Sequence, residues 1–454
     1  MKKLFFLISF ILLFSCKENM SPSPVQIRDE IVVVSVEEAL QTLDSFLSDN
    51  NLVQTKSGQN RTYSNVSTYY RRGVLTKSGA DTTFDNIPAA YVVNFDNNAG
   101  FAVLGANNIV PDIVAVTEFG AIDPVTLEVV DNSGFVDSYS AMFEDMDESE
   151  INNFRESVVV TADSLLYSPE DDDYYVGMNN TGNISNVMIH QCFESSYNDF
   201  LIKGGVGGSL GANYTVKDPL LTYSWDQIPF YNNYCKRGRN NQKQAATGCS
   251  TTAMAMIVAF NEYPSLKLNG VDIDYKNIKN NANLSDTTTQ NQIALLMGSI
   301  YNFVKKTTSK KYTLITPKQI AKRMNEFGYA NVDKVNESSL TTSMISKISC
   351  MLGENKPVFI SAIPKGVKNW NSGHSWVVDG AKFSGKNAYL LHMNFGWSAC
   401  SNGYYATNCL NPSKPEEPDG EIAKTDDYVF SWHFRIITYD TPDSDKQLII
   451  DYTY

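Results

Sequence analysis

Histidine is scarce in this chain: there are four in 454 residues, and none precedes His190. Cysteine is equally missing from the stretch between Cys16 and Cys192, so the first 190 or so residues hold no imidazole–thiol pair and no evident catalytic machinery. The seven cysteines stand at 16, 192, 235, 249, 350, 400 and 409. They form no CxxC pair and no Cys/His cluster with metal-ligand spacing, which argues against a structural zinc site. Positive charge is in deficit as well. The formal net charge of −13 argues against a nucleic-acid binder, which needs a basic face. Beyond residue 14 there is no apolar run long enough to cross a bilayer as a helix. What is plentiful is core material: 43% hydrophobic and 12% aromatic residues exclude a globally disordered chain, and the length suggests two or three domains.

The N-terminus reads as an export signal. Met1-Lys2-Lys3 is a short positive region, and the apolar run Leu4–Phe14 is too short to span a membrane. It ends in Leu13-Phe14-Ser15-Cys16, which resembles a bacterial lipobox. That resemblance implies cleavage before Cys16 and a lipid on its thiol, hence a protein anchored at the cell envelope or surface. An ordinary secretory signal that happens to contain a cysteine is the alternative. If Cys16 is lipidated and Cys249 is free, five cysteines remain, so at least one more is free or pairs with another chain. Cys400 and Cys409 are close enough in sequence to bridge.

Residues 17–29 read as a tether, and 30–203 as a separate N-terminal region. Ser35 with Glu37 and Glu38 signals a helix start, because a hydroxyl cap and acidic first-turn residues both meet unsatisfied N–H groups. The Ser/Thr/Asn-rich stretch 55–68 is expected to be a loop. Ala90–Phe95 and Gly100–Gly105 are expected as strands joined by Asp96-Asn97-Asn98-Ala99, with Ile113–Val116 a further strand. The acidic runs at 144–156 and 170–173 read as solvated surface. The glycine-rich stretch 204–211 is the strongest linker in the chain, and 204–214 is taken as linker and processing region. In the remainder, 215–454, helices dominate the first half and strands the second. That order suggests two lobes, α then β, rather than a doubly wound sheet.

The chemistry-bearing residues lie in this last region. Gln244-Ala245-Ala246-Thr247-Gly248-Cys249 runs into an apolar helix, which places Cys249 at a helix start. First-turn N–H groups and the helix dipole there are expected to lower the thiol pKa, and Gly248 leaves room for a substrate backbone. This segment alone reads equally well as a packed core cysteine. A cysteine nucleophile needs an imidazole to take its proton. His374, after the small residue Gly373 and at the head of a strand pattern, suits that role better than His392, inside a strand pattern, or His433, between Trp432 and Phe434. Asn394 and Trp397 could orient and shield the imidazole, although a turn asparagine beside core aromatics is the simpler reading.

Taken together, Ala245–Cys249, Gly373–Gly380 and His392–Trp397 resemble the motifs of the streptopain family of bacterial papain-like cysteine peptidases. Trp225–Asn232 resembles the segment carrying that family's oxyanion-hole glutamine, here Gln227, and Asn355–Phe359 its strand entering the histidine region. The hairpin near Phe95 and Phe101 is more loosely similar to the family's inhibitory propeptide. The resemblance implies an α+β, two-lobed papain-like peptidase domain preceded by a small α+β inhibitory prodomain. It implies Cys249 as nucleophile, His374 as base and then acid, and Gln227 with the Cys249 N–H as oxyanion hole. Asn394 and Trp397 would orient and shield His374, and Gly373 would border the substrate cleft. It implies protein or peptide substrates, the chain's own propeptide as inhibitor, and no metal or organic cofactor. Phe395 stands where the family carries tryptophan, which is expected to weaken the hold on His374. Thr307–Thr313 replaces a Gly/Ser-rich loop beside the cleft, and 145–200 matches nothing in the family. A non-catalytic binding module on a peptidase fold, or another Cys/His amidohydrolase, are the competing readings.

Overall fold

In the computed structural model, the described residues are 31–55, 58, 60–63, 65–70, 75–76, 79–80, 87–125, 129–130, 189, 193, 215–227, 230–235, 246–280, 286–303, 307–308, 313–337, 340–364, 374–384, 388–399, 402–407, 432–442 and 449–452. The signal segment with Cys16, the tether, the glycine-rich linker, the acidic runs, Gly373, His190, Cys192, Cys400, Cys409 and the side chain of His433 lie outside them. Among the described residues, no helix is long and apolar enough to cross a membrane.

The N-terminal unit begins with helix α1 (Val36–Asp49), whose Ser35 cap accepts from the Glu38 N–H. Ala39, Leu43, Phe46 and Leu47 recur at helical spacing and are buried, giving the helix one apolar face. Strand β1 (Val66–Tyr70) follows. It overturns the expectation of a loop through residue 68: Ser and Thr count as loop formers by polarity, yet beside Val66, Tyr69 and Tyr70 a β-branched threonine fits a half-buried pleat. Then come β2 (Pro88–Asn94), β3 (Phe101–Gly105) and β4 (Ile113–Thr117), all antiparallel neighbours. The β2–β3 turn places Asn97 and Asn98 at φ 57°, a left-handed conformation that asparagine tolerates better than most residues.

The next helix, α2 (Cys249–Asn261), is buried at every residue from Cys249 to Ala259. Apolar on all sides, it can only sit inside the molecule. It is followed by β5 (Ser265–Leu268), α3 (Tyr275–Asn280), α4 (Thr287–Phe303) and α5 (Pro317–Glu326). Thr316 caps α5 as expected, and Gln319 reaches back to the Thr316 N–H to complete a capping box. The sequence reading placed none of β5, α3 and α4, and it also missed β6 (Ala330–Glu337), whose charge-rich pattern is that of an edge strand, and α6 (Thr342–Gly353). The strand-rich half follows: β7 (Val358–Pro364), β8 (His374–Ser384), β9 (Ala388–Asn394), β10 (Gly403–Ala406) and β11 (Trp432–Asp440). The last strand, β12 (Ile449–Tyr452), returns to the helical side and pairs parallel with β5. The fold is thus α+β, a helical lobe against an antiparallel sheet lobe.

The N-terminal unit does not stand apart from this sheet. Ten strands form one antiparallel sheet in the order β1-β2-β3-β4-β10-β9-β8-β7-β11-β6. At the seam Thr117, Val116 and Ala115 pair with Gly403, Tyr404 and Tyr405, and the Glu118 N–H donates to the Asn402 carbonyl at 2.6 Å. Phe46 of α1 adds an edge-to-face contact with Tyr404. Gly403 permits this approach, because a Cβ there would lie 2.3 Å from the Val116 carbonyl oxygen and 2.5 Å from Thr117 Cα. Backbone on the far side of such a clash cannot rotate away. Gly403→Ala is therefore expected to cost about 1–3 kcal/mol at the seam. Amide exchange should accelerate at 113–117 and 403–406 while α2 stays protected; unchanged protection across the seam would refute this.

Candidate active site

Gly248 precedes α2 with φ 84° and ψ 143°, a conformation glycine takes without steric cost. The turn places Cys249 as the first helical residue, where its N–H has no intrahelical carbonyl to meet. The thiol is buried at 2% exposure. Burial pushes its pKa up, and hydrogen bonds from the backbone and hydroxyl groups of Ser375 and Ser250 only partly offset that. The expected lowering by the helix terminus does not prevail: removing a thiolate from water costs more than first-turn dipoles return.

His374 opens β8, which packs on α2. Its Nε2 lies 2.8 Å from the Phe395 carbonyl oxygen. A carbonyl only accepts, so Nε2 carries the proton and Nδ1 is left as the basic nitrogen. Burial pulls the imidazole down to a pKa of about 3 against a small rise from that carbonyl, so the ring is neutral at ordinary pH. Trp397 covers it with ring centroids 4.2 Å apart, and Trp376 stacks at 6.1 Å. No hydrogen bond joins His374 to Cys249.

Asn394 is a correction. Its Nδ2 donates to the Tyr223 carbonyl at 2.9 Å and its Oδ1 accepts from the Gly396 N–H, so its amide does not orient His374. The orienting group is the backbone carbonyl one residue on. For the same reason Phe395 does not loosen the imidazole: the contact is made by main chain, and the phenyl ring stacks on Trp397 at 5.3 Å. Gln227 is held beside the start of α2, since its carbonyl accepts from the Thr247 N–H at 3.1 Å. Asp226 accepts from the Gln227 N–H and from Ser398, which ties this loop to the turn after β9. The Gln227 side chain, 1% exposed as a residue, has a buried Oε1 without a hydrogen-bond partner.

A second set of charges was not read from the sequence. His392 Nδ1 meets Asp379 Oδ1 at 2.6 Å, and its Nε2 faces Glu118 Oε1 at 3.4 Å. Glu118 belongs to the N-terminal unit and also acts on the buried Arg61, whose guanidinium burial pushes down and Glu118 supports. Packing of His392 was expected; its charge partners were not, because Glu118 is distant in sequence and Asp379 meets it only through the pairing of β8 with β9.

Residues 225–405 match the model of the Peptidase C10 family. Streptopain from Streptococcus pyogenes serotype M28 is 28% identical over 203 residues, 38% of this chain and 48% of that protein. Streptopain from serotype M1 is 27% identical over the same shares. The chain therefore spans about half the length of the curated relatives it matches. Among solved structures, a fragment of prointerpain A from Prevotella intermedia has a TM-score of 0.46 at 16% identity, covering 83% of this chain and all of that one. Active interpain A has a TM-score of 0.35 at 19% identity, covering 49% of this chain and 95% of that one. Through residues 225–405, the chain is thus similar to the Peptidase C10 family and to streptopain.

The His392 cluster has a measurable sign. Burial pulls this imidazole down, but Asp379 and then Glu118 outweigh it and raise the pKa to about 9. A raised value stabilises the folded state fully below the unfolded pKa of roughly 6.5, and that contribution is lost as pH rises through about 9. NMR titration of the full chain should show one histidine protonated past pH 8, and Glu118→Gln should lower its midpoint. A midpoint unmoved by that change would disprove the coupling.

Proposed function

We propose that this chain is a cysteine endopeptidase made as a zymogen, exported, and tethered to the cell envelope through Cys16. The observation that carries the peptidase reading is Cys249 at the first position of a buried helix, packed against the strand that begins with His374. In the reaction, the thiol proton passes to His374 Nδ1 and the sulfur attacks a peptide carbonyl. The Cys249 N–H and the Gln227 amide donate to the oxyanion. Collapse of the tetrahedral adduct breaks the C–N bond, and His374 returns the proton to the leaving amine. Water, deprotonated by the same nitrogen, then hydrolyses the thioester and restores the thiol. Trp397 keeps water from the His374–Phe395 contact throughout.

Latency is supported by two features. Thiol and imidazole are both neutral and share no hydrogen bond, and the N-terminal unit completes the peptidase sheet through β4. Removing that unit exposes the β10 edge and takes Glu118 from His392. Cleavage is proposed within 204–214, and the N-terminal unit, 30–203, is proposed as the intramolecular inhibitor. Substrates are proteins or peptides.

Intact-mass spectrometry of residues 17–454 in reductant tests the reading. The wild type is expected to shorten to a fragment starting near 204–215 and then digest casein, while Cys249→Ala does neither. Gln227→Ala is expected to lower kcat by about 10²–10³ with KM little changed, as for loss of one oxyanion donor. Casein left intact, even after an added protease has cut the linker, would leave a binding module as the better description.

A further inference from the structure

Asn402, the residue before β10, is fully buried and meets three separate parts of the chain. Its Oδ1 accepts from the Phe395 N–H at 2.9 Å. Its Nδ2 donates to Ser224 Oγ at 2.8 Å. Its carbonyl takes the Glu118 N–H of the N-terminal unit, and its own N–H closes a turn onto the Ala399 carbonyl at 3.1 Å. An amide offers an acceptor and a donor on one planar group, so a single side chain holds two segments at a fixed spacing.

The first of these segments carries the contact to the imidazole. His374 Nε2 meets the Phe395 carbonyl at 2.8 Å, and that contact leaves Nδ1 as the basic nitrogen. Where the carbonyl points depends on how the Phe395 backbone is held on either side. On the following side Gly396 has φ 71°, and its N–H reaches Asn394 Oδ1 only at 3.4 Å. On the preceding side the Asn402 contact is shorter and buried, so it is the firmer restraint.

The second segment leads to Gln227. Residues 223–226 are fastened one after another to the region after β9. The Tyr223 carbonyl accepts from Asn394 Nδ2, and Ser224 Oγ accepts from Asn402. The Trp225 carbonyl accepts from the Ser398 N–H at 3.1 Å, and Asp226 Oδ2 accepts from Ser398 Oγ at 2.8 Å. Of these fasteners, Asn402 is the one that also bonds the Phe395 N–H.

We propose that Asn402 is a positioning residue that sets the Phe395 carbonyl for His374 and the approach to Gln227 with one side chain. This rests on the reading of His374 as the base and Gln227 as an oxyanion donor. Because the Asn402 carbonyl is taken by Glu118, the same residue also lies on the seam with the N-terminal unit.

Side-chain NMR of the full chain reads both arms without turnover. The His374 Nε2–H and Gln227 amide signals are assigned by their loss in His374→Ala and Gln227→Ala. Asn402→Ala is expected to speed exchange of the His374 Nε2–H about fivefold, the equivalent of one lost hydrogen bond, and to displace the Gln227 amide. The main-chain bond to Glu118 survives that change, so the His392 signal should hold still. Ser224→Ala should displace the Gln227 amide alone. Asn402→Asp is the conservative rescue. One oxygen still accepts from Phe395, and the other accepts from the Ser224 hydroxyl when ionised or donates to it when protonated. Both signals should then stay near the wild type. Asn402→Ser, too short for either partner, reports the same losses if the alanine variant does not fold. A His374 signal unmoved in Asn402→Ala and Asn402→Ser, His374 and His392 shifting together, a Gln227 amide unmoved in Ser224→Ala, or an aspartate variant matching the alanine would each overturn the proposal. Failure of the wild type to cleave casein would sink the peptidase reading and leave the NMR signals to decide the role of Asn402 separately.

Discussion

A helix buried from Cys249 to Ala259 without a break must be wrapped on every side, and the rest of the molecule is arranged to do so. Helices α3, α4 and α5 cover it on one side, and β7 and β8 of the large sheet on the other. That enclosure brings the first turn of the helix to the head of β8. A nucleophile candidate on one lobe and a base candidate on the other then become neighbours through packing rather than through chain proximity. The loop with Gln227 is tied to the same corner by the Thr247 N–H and by Ser398.

Enclosure also sets the electrostatics. Burial disfavours whichever form of a group is charged. It raises the Cys249 thiol and lowers the His374 imidazole, so at rest both are neutral. His392 is buried to a similar extent and ends at the opposite extreme, because two carboxylates face it. The difference between the two histidines is therefore one of partners: a carbonyl dipole for His374, and the charges of Asp379 and Glu118 for His392. One of those charges comes from the N-terminal unit, so charge, sheet pairing and packing all bind that unit to the rest of the large sheet at the same place.

Local signals carried the individual elements well. The Ser35 and Thr316 caps, the asparagine turn after β2 and the apolar run of α2 all lie where short-range chemistry places them. The failures share a cause. Strand β1 was hidden by its serine and threonine, and β6 by the charges that suit an edge. Asn394 was given a task by its nearness to the histidine strand. The structure spends its amide on Tyr223, a residue 171 positions earlier, and leaves the imidazole to a main-chain oxygen that no side-chain pattern can announce.

The sequence by itself determined which residues could do chemistry: few histidines, a cysteine at a helix start after a glycine, and a first stretch with no histidine before His190 and no cysteine between Cys16 and Cys192. It also determined individual helices and strands such as α1, β2, β3 and α2, since caps, turns and apolar periodicity act over a few residues. Only the tertiary structure decided that the N-terminal strands extend the sheet of the C-terminal region, that Gly403 is where backbone meets backbone, and that Glu118, His392 and Asp379 share one buried cluster. Those outcomes depend on strand pairing, close approach and desolvation between separate strands, some of them hundreds of residues apart, and none of these forces leaves a mark on local sequence.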